Sequence, residues 1–396
     1  MQKKLRSISM LAGTAIGSGM ISLPIVLAHI GIIPAIGLML CCAFMTYISA
    51  LIRTELNLHS DSRFTLELVG LKFSGKGAAF IGNISLRMLQ FSLMSAYIYG
   101  LSAILGDGNC AQKLFVAIGT FAILAFSSNR IISVNQKLFT ALLCVVAASI
   151  VCMMFHINLE TLPHRTNSIL LPKLCVILPT LFTSFGFQGS LHSLTRFCEN
   201  DPKLIKTACF WGSFLPAILY IAWVVGVIAL IFSTQPALFS KMATQGIDIN
   251  ELIQALCLAS DAHIVKSAVF MISVLAIVTS VIGVGLALVD DLDVALERFR
   301  DRGRLNERVG RLLSAMIAVV PPTLVAIFVP NAFVKVLSFA GMILAVIAIF
   351  LPVFLLSKVK EHTVFRILRS KLLIFSCILF GGVIVLCEVT SLFVML

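Results

Sequence analysis

Two short segments place glycine and hydroxyl residues inside long apolar runs, where a membrane helix is expected to be regular. The first is AGTAIGSGMISLP at residues 12–24, and the second is TSFGFQGS at residues 183–190. A helix that breaks inside a membrane leaves backbone N–H groups free at one new end and C=O groups free at the other. Hydrocarbon satisfies neither kind of group, so such backbone survives only where it lines a polar cavity.

Free backbone groups of both kinds suit a ligand that carries both charges. A carboxylate binds N–H donors and the positive end of a helix dipole, and an ammonium group binds freed carbonyls. The two segments therefore predict a binding site for an amino acid between two broken helices. Taken alone, Gly13 and Gly17 have a simpler interpretation, which is a GxxxG face on which two helices pack closely.

A third set of polar residues shares one helix face between these segments. Arg87, Gln90, Met94 and Tyr97 fall within about 80° of each other at 100° per residue. The Tyr97 hydroxyl is predicted to lie near the broken helices as a substrate or gate contact, the alternative being an interfacial or packing tyrosine. Arg87 lies ten residues before Tyr97, about 15 Å along a helix, and is therefore predicted to lie toward the cytoplasm. A charge in mid-membrane normally faces protein or water. Three roles stay open for it: a fixed cation that replaces a coupling ion, a gate paired to a carboxylate, or a side chain that reaches the inner face.

Eleven apolar runs, most of them about 20 residues long, must position these residues, and such a length crosses about 30 Å of hydrocarbon. They are numbered here as spans 1 to 11 and occupy residues 7–28, 32–53, 77–105, 113–128, 137–157, 174–195, 207–233, 266–290, 311–329, 332–356 and 372–394. The composition agrees, because 59% of the residues are hydrophobic and only 12% are charged. The chain is therefore predicted to be an all-α, multi-pass membrane protein.

The net charge of +12 is interpreted as membrane topology and not as a nucleic-acid partner. With the N-terminus inside, 23 Lys and Arg residues fall in predicted cytoplasmic segments and six in predicted external segments. By the positive-inside rule, this predicts a cytoplasmic N-terminus and a periplasmic C-terminus. The eleven cysteines form no CxxC pair and no His/Cys cluster at metal spacing. No metal, cofactor or enzymatic activity is predicted, and no feature requires an oligomer.

The two interrupted runs occupy matching positions in the chain. Span 1 opens five spans that end near residue 157, and span 6 opens five that end near residue 356. Glycine-interrupted segments at matching positions indicate a transporter built from two inverted repeats, whose broken helices face each other near the midplane. The predicted repeats are residues 1–157 and 174–356, followed by an eleventh span within 357–396.

Four motifs resemble those of a known transporter family. GTAIGSG at 13–19 resembles the first-helix signature of the amino acid–polyamine–organocation superfamily. FTSFGFQGS at 182–190 is similar to the matching segment of the hydroxy and aromatic amino acid permeases, and AYIYG at 96–100 and TSVIGVGLALVD at 279–290 resemble that family's third and eighth helices. The resemblance covers essentially the whole chain. It implies a LeuT-type fold with a 5+5 inverted repeat and broken helices 1 and 6, in a bacterial inner membrane, and generally proton-coupled import of tyrosine, tryptophan, serine or threonine.

The resemblance also implies the roles of individual residues in a substrate site. The N–H groups of Ser18 and Gly19, with the Ser18 hydroxyl, would hold the substrate carboxylate, and carbonyls of Ala15, Ser184 and Phe185 would hold its ammonium group. The complete set of predicted substrate-binding residues is Thr14, Ala15, Gly17, Ser18, Gly19, Gln90, Tyr97, Ser184, Phe185, Gly186, Phe187 and Gln188. The last three would shape the side-chain pocket. A further hypothesis is that Phe185 or Phe187 stacks on an aromatic substrate, the alternative being ordinary packing.

The coupling ion is left open between a proton and sodium. Thr279 and Ser280 match a hydroxyl pair that makes a sodium site in some LeuT-type carriers, although such hydroxyls also bond to their own helix. Gln188 stands where some relatives have a histidine, and an amide carries no proton. The other titratable candidates are His29, His192, Asp290, Asp291 and Glu388.

The predicted function is a secondary active, cation-coupled importer of an aromatic amino acid, tyrosine or tryptophan, that works by alternating access. A serine or threonine importer on the same fold is the first alternative. A membrane channel or a non-transporting scaffold is the second. A channel is disfavoured because a ring of like polar groups along a continuous pore is expected there, whereas polarity here concentrates at one midplane position.

Overall fold

The computed structural model is all-helical in the residues that it describes, which are 2–60, 65–106, 108–126, 129–156, 171–258, 263–300, 306–329, 332–359 and 363–395. Its helices are α1 Gln2–Ala15, α2 Gly19–Leu27, α3 Ile32–Leu58, α4 Leu66–Ser74, α5 Lys76–Leu105, α6 Cys110–Ala125, α7 Asn129–His156, α8 Leu171–Ser184, α9 Leu191–Phe197, α10 Pro202–Thr234, α11 Pro236–Thr244, α12 Ile249–Leu258, α13 His263–Arg300, α14 Glu307–Phe328, α15 Ala332–Ala345, α16 Leu351–Leu356 and α17 Lys371–Met395.

These helices confirm a protein built from membrane-spanning helices. Within the described ranges, nine spans are long and apolar enough to cross a membrane, and the pair α1 and α2 makes a tenth if it counts as one bent span. Span 4 corresponds to α6, a shorter apolar helix of 16 residues. The short helices α4, α11 and α12 lie between spans. They were not predicted, because each is much shorter than a membrane span. The predicted repeat boundary at residue 157 lies outside the described residues.

Local sequence signals account for where several helices begin. Asp201 caps α10 by accepting a hydrogen bond from Lys203 N at 2.9 Å, and Pro202 occupies the first turn, where no N–H partner is needed. At the start of α6, Asn109 accepts from Gln112 N at 3.0 Å while the Gln112 side chain accepts from Asn109 N at 3.2 Å. This reciprocal capping box satisfies donors that a helix start leaves free.

Three spans depart from a continuous α-helix. The axes of α1 and α2 differ by 57° across a short break. Between α8 and α9, the chain passes through a non-helical stretch and a 3₁₀ turn at Gln188–Ser190. In span 10, a wide π turn at Val346–Phe350 separates α15 from α16. The first two departures lie at the segments that the sequence predicts to be broken, and the third was not predicted.

The helices that surround the two breaks pack closely. α15 packs on both α5 and α8, α10 packs on α1 and α3, and α13 packs on α5 and α7. At Gly341 of α15, an added Cβ would lie 2.1 Å from the carbonyl oxygen of Pro179 in α8. Only glycine permits this backbone approach. Close packing at small residues is a common means of helix association in membranes, where the hydrophobic effect does not drive helices together. The N-terminal part of span 6 is therefore held tightly against span 10.

A buried carboxylate fixes the segment that precedes the last helix. Glu55 of α3 is fully buried and accepts hydrogen bonds from Val364 N at 2.6 Å and Phe365 N at 3.0 Å. Its other contact is His59 Nε2 at 2.9 Å. Hydrogen bonds to a charged acceptor are stronger than neutral ones, and the carboxylate has its partners in place. Glu55 thus joins span 2 to the connection between spans 10 and 11.

We expect Glu55→Gln to lower stability by about 2 kcal/mol, because it removes the charge from hydrogen bonds to two backbone amides. The measurement is thermal unfolding of the purified protein in detergent. Glu251→Gln is the matched control, because the Glu251 carboxylate is exposed and pairs with Lys241 at the surface. Equal unfolding temperatures for the wild-type protein and Glu55→Gln would contradict this role.

Candidate functional site

The first break lies at residues 16–18, between α1 and α2, and span 8 holds it in place. The N–H of Ser18 donates to Oγ of Ser280 at 3.2 Å. At Gly17, an added Cβ would lie 2.6 Å from that same hydroxyl oxygen. The Ser280 hydroxyl in turn donates to Ala276 O of its own helix at 2.8 Å. A freed N–H group at the start of α2 is therefore partnered by a side chain and not by the helix itself.

The second break begins at the end of α8 and lies directly against the first. An added Cβ on Gly19 would lie 2.8 Å from both Cα and Cβ of Ser184. The backbone after Ser184 turns sharply, with Phe185 N donating to Phe182 O at 3.1 Å and Gly186 N donating to Thr183 O at 2.9 Å. The two predicted breaks thus meet backbone to backbone, at a position where one of them carries no side chain.

A tyrosine of span 7 bridges the two breaks. The hydroxyl oxygen of Tyr220 lies 2.7 Å from Ala15 O and 2.8 Å from Ser184 O, and the residue is fully buried. A phenol has one proton to donate, so two carbonyls share a single donor here. Ala15 and Ser184 are the residues whose carbonyls the family resemblance assigns to the substrate ammonium group. This meeting point is therefore short of donors and rich in acceptors.

Tyr220 is absent from the predicted site, although the sequence carries a weak signal for it. The chain has only four tyrosines, and this one lies in the middle of the apolar span 7. A buried tyrosine hydroxyl usually has a hydrogen-bond partner, so a mid-span tyrosine indicates nearby polar groups. Nothing in the sequence says that those groups are carbonyls of spans 1 and 6.

Tyr97 of α5 lies at the first break, as its position in the sequence predicts. Its hydroxyl interacts with the hydroxyls of Ser18 and Ser280, and the residue is buried. Three hydroxyl groups from spans 1, 3 and 8 therefore meet beside the start of α2. Tyr97 as a substrate or gate contact remains a prediction.

Arg87 and Gln90 lie elsewhere on α5, beside an acidic residue of α13. Gln90 Nε2 donates to Oδ2 of Asp291 at 2.9 Å, and Arg87 Nη2 lies 3.4 Å from Asp291 O. The contacts of Gln90 thus lie with Arg87 at the predicted cytoplasmic end and not at the breaks. Arg87 also interacts electrostatically with the Asp291 carboxylate. Of the three roles left open for Arg87, this contact favours a gate paired to a carboxylate, which remains a prediction.

An ion-pair cluster lies at the same end of span 8. Arg311 Nη1 of α14 donates to Asp290 Oδ1 at 2.7 Å and to Asp293 Oδ2 at 2.6 Å. Asp293 Oδ1 also accepts from Ser314 Oγ at 2.5 Å. Span 8 is thereby joined to spans 3 and 9 by charged groups at its predicted cytoplasmic end.

The residues predicted to shape the side-chain pocket lie at the second break, where Phe187 and Gln188 are buried and Gly186 is half-buried. Phe185 packs edge-to-face against Tyr220, with ring centroids 5.3 Å apart, so its ring already has an aromatic partner. Phe187 is buried as well. Gln188 Nε2 donates to Ser49 Oγ at 2.8 Å, while Gln188 Oε1 has no hydrogen-bond partner among the described residues. At Gly186, an added Cβ would lie 2.9 Å from Thr183 O.

Two of the predicted residues use their hydroxyls within their own helices. Thr14 is exposed, and its Oγ1 donates to Leu11 O at 2.9 Å. Thr279 Oγ1 donates to Leu275 O at 2.8 Å. Of the hydroxyl pair in span 8, only Ser280 contacts the first break. A sodium site at this pair remains a prediction.

A buried arginine lies on the predicted cytoplasmic side of the second break. Arg53 of α3 is 4% exposed, and its Nη1 has no hydrogen-bond partner among the described residues. It interacts electrostatically with His192 of α9. Further along the same two helices, Asn57 Nδ2 donates to Thr195 Oγ1 at 3.4 Å. Arg53 is not among the predicted site residues, because it ends an apolar run where basic residues are common.

The remaining titratable candidates lie in different parts of the molecule. His29, outside the spans, has Nδ1 3.0 Å from Ala243 O, and burial lowers its pKa, an effect that Lys173 strengthens and the backbone contact opposes. Glu388 of α17 is buried and accepts a hydrogen bond from Ser338 Oγ. No group of three or more His, Cys, Asp or Glu side chains suitable for a metal ion occurs among the described residues.

Comparison with known sequences identifies relatives along the whole chain. A model of the tryptophan/tyrosine permease family matches residues 1–388. The tyrosine-specific transport system 1 of Haemophilus influenzae is 27% identical over 91% of this chain and 89% of its own length. A low affinity tryptophan permease of Proteus vulgaris is 25% identical over 96% and 93%. The glutamine transporter 2 of Aliivibrio fischeri is 26% identical over 88% and 87%.

Comparison with solved structures identifies the fold. A crystal structure of the manganese transporter of Eremococcus coleocola superposes with a TM-score of 0.61, covering 97% of this chain and 85% of that one at 13% identity. At this identity the likeness shows the fold alone. The LeuT-type fold class predicted from the sequence is confirmed, while its division into two inverted repeats remains a prediction.

Proposed function

We propose that this chain, which belongs to the tryptophan/tyrosine permease family, imports an aromatic amino acid as a secondary active carrier that works by alternating access. It is a multi-pass membrane protein with bacterial relatives. We place it in the bacterial inner membrane with a cytoplasmic N-terminus and a periplasmic C-terminus. The observation that carries the proposal is the meeting of the two helix breaks at Gly19 and Ser184, with Tyr220 between their carbonyls.

The chemistry of this meeting point favours a substrate with an ammonium group. Two carbonyl oxygens share one hydroxyl proton, so an ammonium group with three N–H bonds supplies donors that the protein lacks. Close by, Ser18 N and the Tyr97 hydroxyl now bond to protein hydroxyls, and a substrate carboxylate would take the place of those partners. Groups that can serve the carboxylate and groups that can serve the ammonium thus lie near each other at the breaks, as a free amino acid needs.

Carrier behaviour is favoured over a channel by the same geometry. The breaks are buried between helices of a single chain, and their contacts come from spans 3, 7 and 8. Polar and charged contacts lie at the predicted cytoplasmic end, on the helices α5, α13 and α14. A buried site with such a polar cluster at one end suits alternating access better than a continuous pore.

The side chain of the substrate is proposed from the relatives. Two have printed names that specify tyrosine and tryptophan, and a third is named a glutamine transporter. We favour an aromatic substrate, with Phe187 as its ring contact, because Phe185 is already engaged by Tyr220. Serine and threonine stay as the alternatives within the fold. The coupling cation is proposed to be a proton, with sodium as the alternative.

The test is uptake of labelled tyrosine and tryptophan into proteoliposomes, driven in turn by an inward proton gradient and an inward sodium gradient. Unlabelled phenylalanine, serine, threonine and glutamine serve as competitors. We expect proton-driven uptake that the aromatic amino acids block. Competition by glutamine, serine or threonine alone would reject the aromatic substrate and keep the carrier. Conductance far above carrier turnover would reject the carrier.

A further inference from the structure

We propose that Glu388 is the residue that binds the coupling proton and transmits its binding to the broken sixth span. This inference rests on the proposed function, because a coupling site has meaning only in a cation-driven carrier. Glu388 is not one of the predicted substrate-binding residues, and its contacts lead to one of them, Ser184. Four observations carry it: burial, a single neutral partner, contact with the break, and depth in the membrane.

The Glu388 carboxyl is buried with one neutral partner. The residue is 3% exposed, and the Ser338 hydroxyl of α15 donates to its Oε2. Among the described residues, no lysine, arginine or histidine forms an ion pair with it. An ionised carboxylate in such surroundings is strongly disfavoured unless it is paired. The neutral, protonated carboxyl is therefore the form that this packing suits.

Among the described residues, the helices that pack on α17 carry few titratable or charged groups near Glu388. The thiol of Cys175 in α8 lies beside Cys387, the neighbour of Glu388 on its own helix. Lys173, near the start of α8, donates to Ala243 O at 2.9 Å. Lys335 lies on α15, one helical turn before Ser338, and is half-buried. On α3, Cys41 and Cys42 are the titratable groups toward the predicted outer end. None of these groups forms an ion pair with Glu388.

The helix pair that holds Glu388 also holds α8 up to the second break. Thr183 Oγ1 donates to Leu337 O at 2.8 Å, and Leu337 directly precedes Ser338. Phe182 packs edge-to-face against Phe380 of α17, with ring centroids 5.8 Å apart. Ser184, whose carbonyl Tyr220 contacts, follows Thr183 in the chain. One continuous set of contacts therefore joins Glu388, through Ser338, to the carbonyl at the break.

The depth of Glu388 suits a proton that enters from outside. Glu388 lies seven residues before the end of α17, about 10 Å along the helix axis from its predicted outer end. Ser338 lies six residues after the start of α15, a comparable depth in a helix that begins on that side. Deprotonation inside this packing is unfavourable, so proton release requires that α8, α15 and α17 part and let water or a cation reach the carboxylate. Proton binding and the position of α8 are thereby linked.

The test compares the wild-type protein with Glu388→Gln in proteoliposomes. Exchange of internal for labelled external substrate at equal pH needs no gradient, and we expect it to stay within about threefold of wild type. With an inward gradient of one pH unit, we expect Glu388→Gln to lose the accumulation that one coupled proton drives, a fall of about tenfold. We also expect it to lose substrate-dependent proton entry, read with a pH-sensitive dye inside the vesicles. Glu251→Gln, at an exposed carboxylate, is the control and should match wild type.

A conservative pair of variants keeps the proposal testable if Glu388→Gln folds poorly. Glu388→Asp retains the carboxyl group and should retain gradient-driven accumulation. Ser338→Ala removes the donor that favours the ionised form, so half-maximal uptake should move to higher pH, a shift that a purely structural hydrogen bond would not give.

The outcomes separate this proposal from the proposed function. Wild-type vesicles that neither exchange nor accumulate any of the amino acids tested would reject the carrier, and Glu388 as its coupling site with it. Proton-driven accumulation that is equal in wild type and Glu388→Gln would reject the role of Glu388 alone. Loss of exchange together with accumulation in a well-folded Glu388→Gln would also reject it, as would accumulation that only sodium drives.

Discussion

Replacing Gly19 by alanine is expected to reduce substrate uptake about 100-fold, the equivalent of roughly 3 kcal/mol, because it forces the two helix breaks apart. The added methyl group would lie 2.8 Å from Cα of Ser184. No rotamer change relieves a contact with backbone, so α2 or α8 must shift. The shift separates the carbonyl and N–H groups whose spacing defines the proposed site. The measurement is the initial rate of uptake into proteoliposomes.

Two glycine variants serve as matched controls for this prediction. Gly17→Ala meets only the Ser280 hydroxyl oxygen, which can turn away, so its effect should be clearly smaller. Gly37→Ala has no atom within 4 Å of the new methyl group and should behave as wild type. Equal uptake by Gly19→Ala and Gly37→Ala would show that the close approach of the breaks has no part in transport.

Replacing Tyr220 by phenylalanine is expected to lower the stability of the substrate-free protein more than that of the substrate-bound protein. The change keeps the ring that packs on Phe185 and removes the only hydroxyl between Ala15 O and Ser184 O. Leaving buried acceptors without a donor costs about 1–3 kcal/mol. A bound ammonium group would supply the missing donors, so substrate should restore most of this loss. We expect net uptake to fall about tenfold or more, because the empty carrier must return across the membrane in the substrate-free form that this variant destabilises.

Thermal unfolding with and without substrate measures this effect. The unfolding temperature of Tyr220→Phe should be lower than that of wild type without substrate and should rise further when substrate is added. Tyr47→Phe is the control, since it removes a hydroxyl from a tyrosine whose ring packs on Phe210. If substrate raised the unfolding temperature of wild type and Tyr220→Phe by the same amount, the carbonyls would not be the ammonium site.

The features that could be predicted from the sequence are those that depend on residues within a single helix. Apolar length identifies the spans, and glycine and serine inside them identify the breaks, because both signals lie within consecutive residues. The ten residues between Arg87 and Tyr97 likewise predict that these side chains lie at different depths. The structure has Tyr97 at the first break and Arg87 beside Asp291.

The partners of Tyr220 and Gln90 could not be predicted, because they depend on which faces of distant helices meet. Span 7 is apolar all round, and such a helix gives no signal for the face that turns inward. The Tyr220 hydroxyl reaches a carbonyl 205 residues away in the chain, and the Gln90 amide reaches an aspartate 201 residues away. Pairings of this kind follow from three-dimensional packing and have no local pattern in the sequence.

The π turn at Val346–Phe350 divides span 10 into two helices that pack on different neighbours. Before this turn, α15 packs on α5 and α8; after it, α16 packs on α3 and α4. A π turn has longer-range hydrogen bonds than an α-helix and marks a place where helical regularity is already interrupted. We therefore expect span 10 to bend at this turn. Such a bend would let α15 follow a movement of α8 while α16 stays packed on α3 and α4.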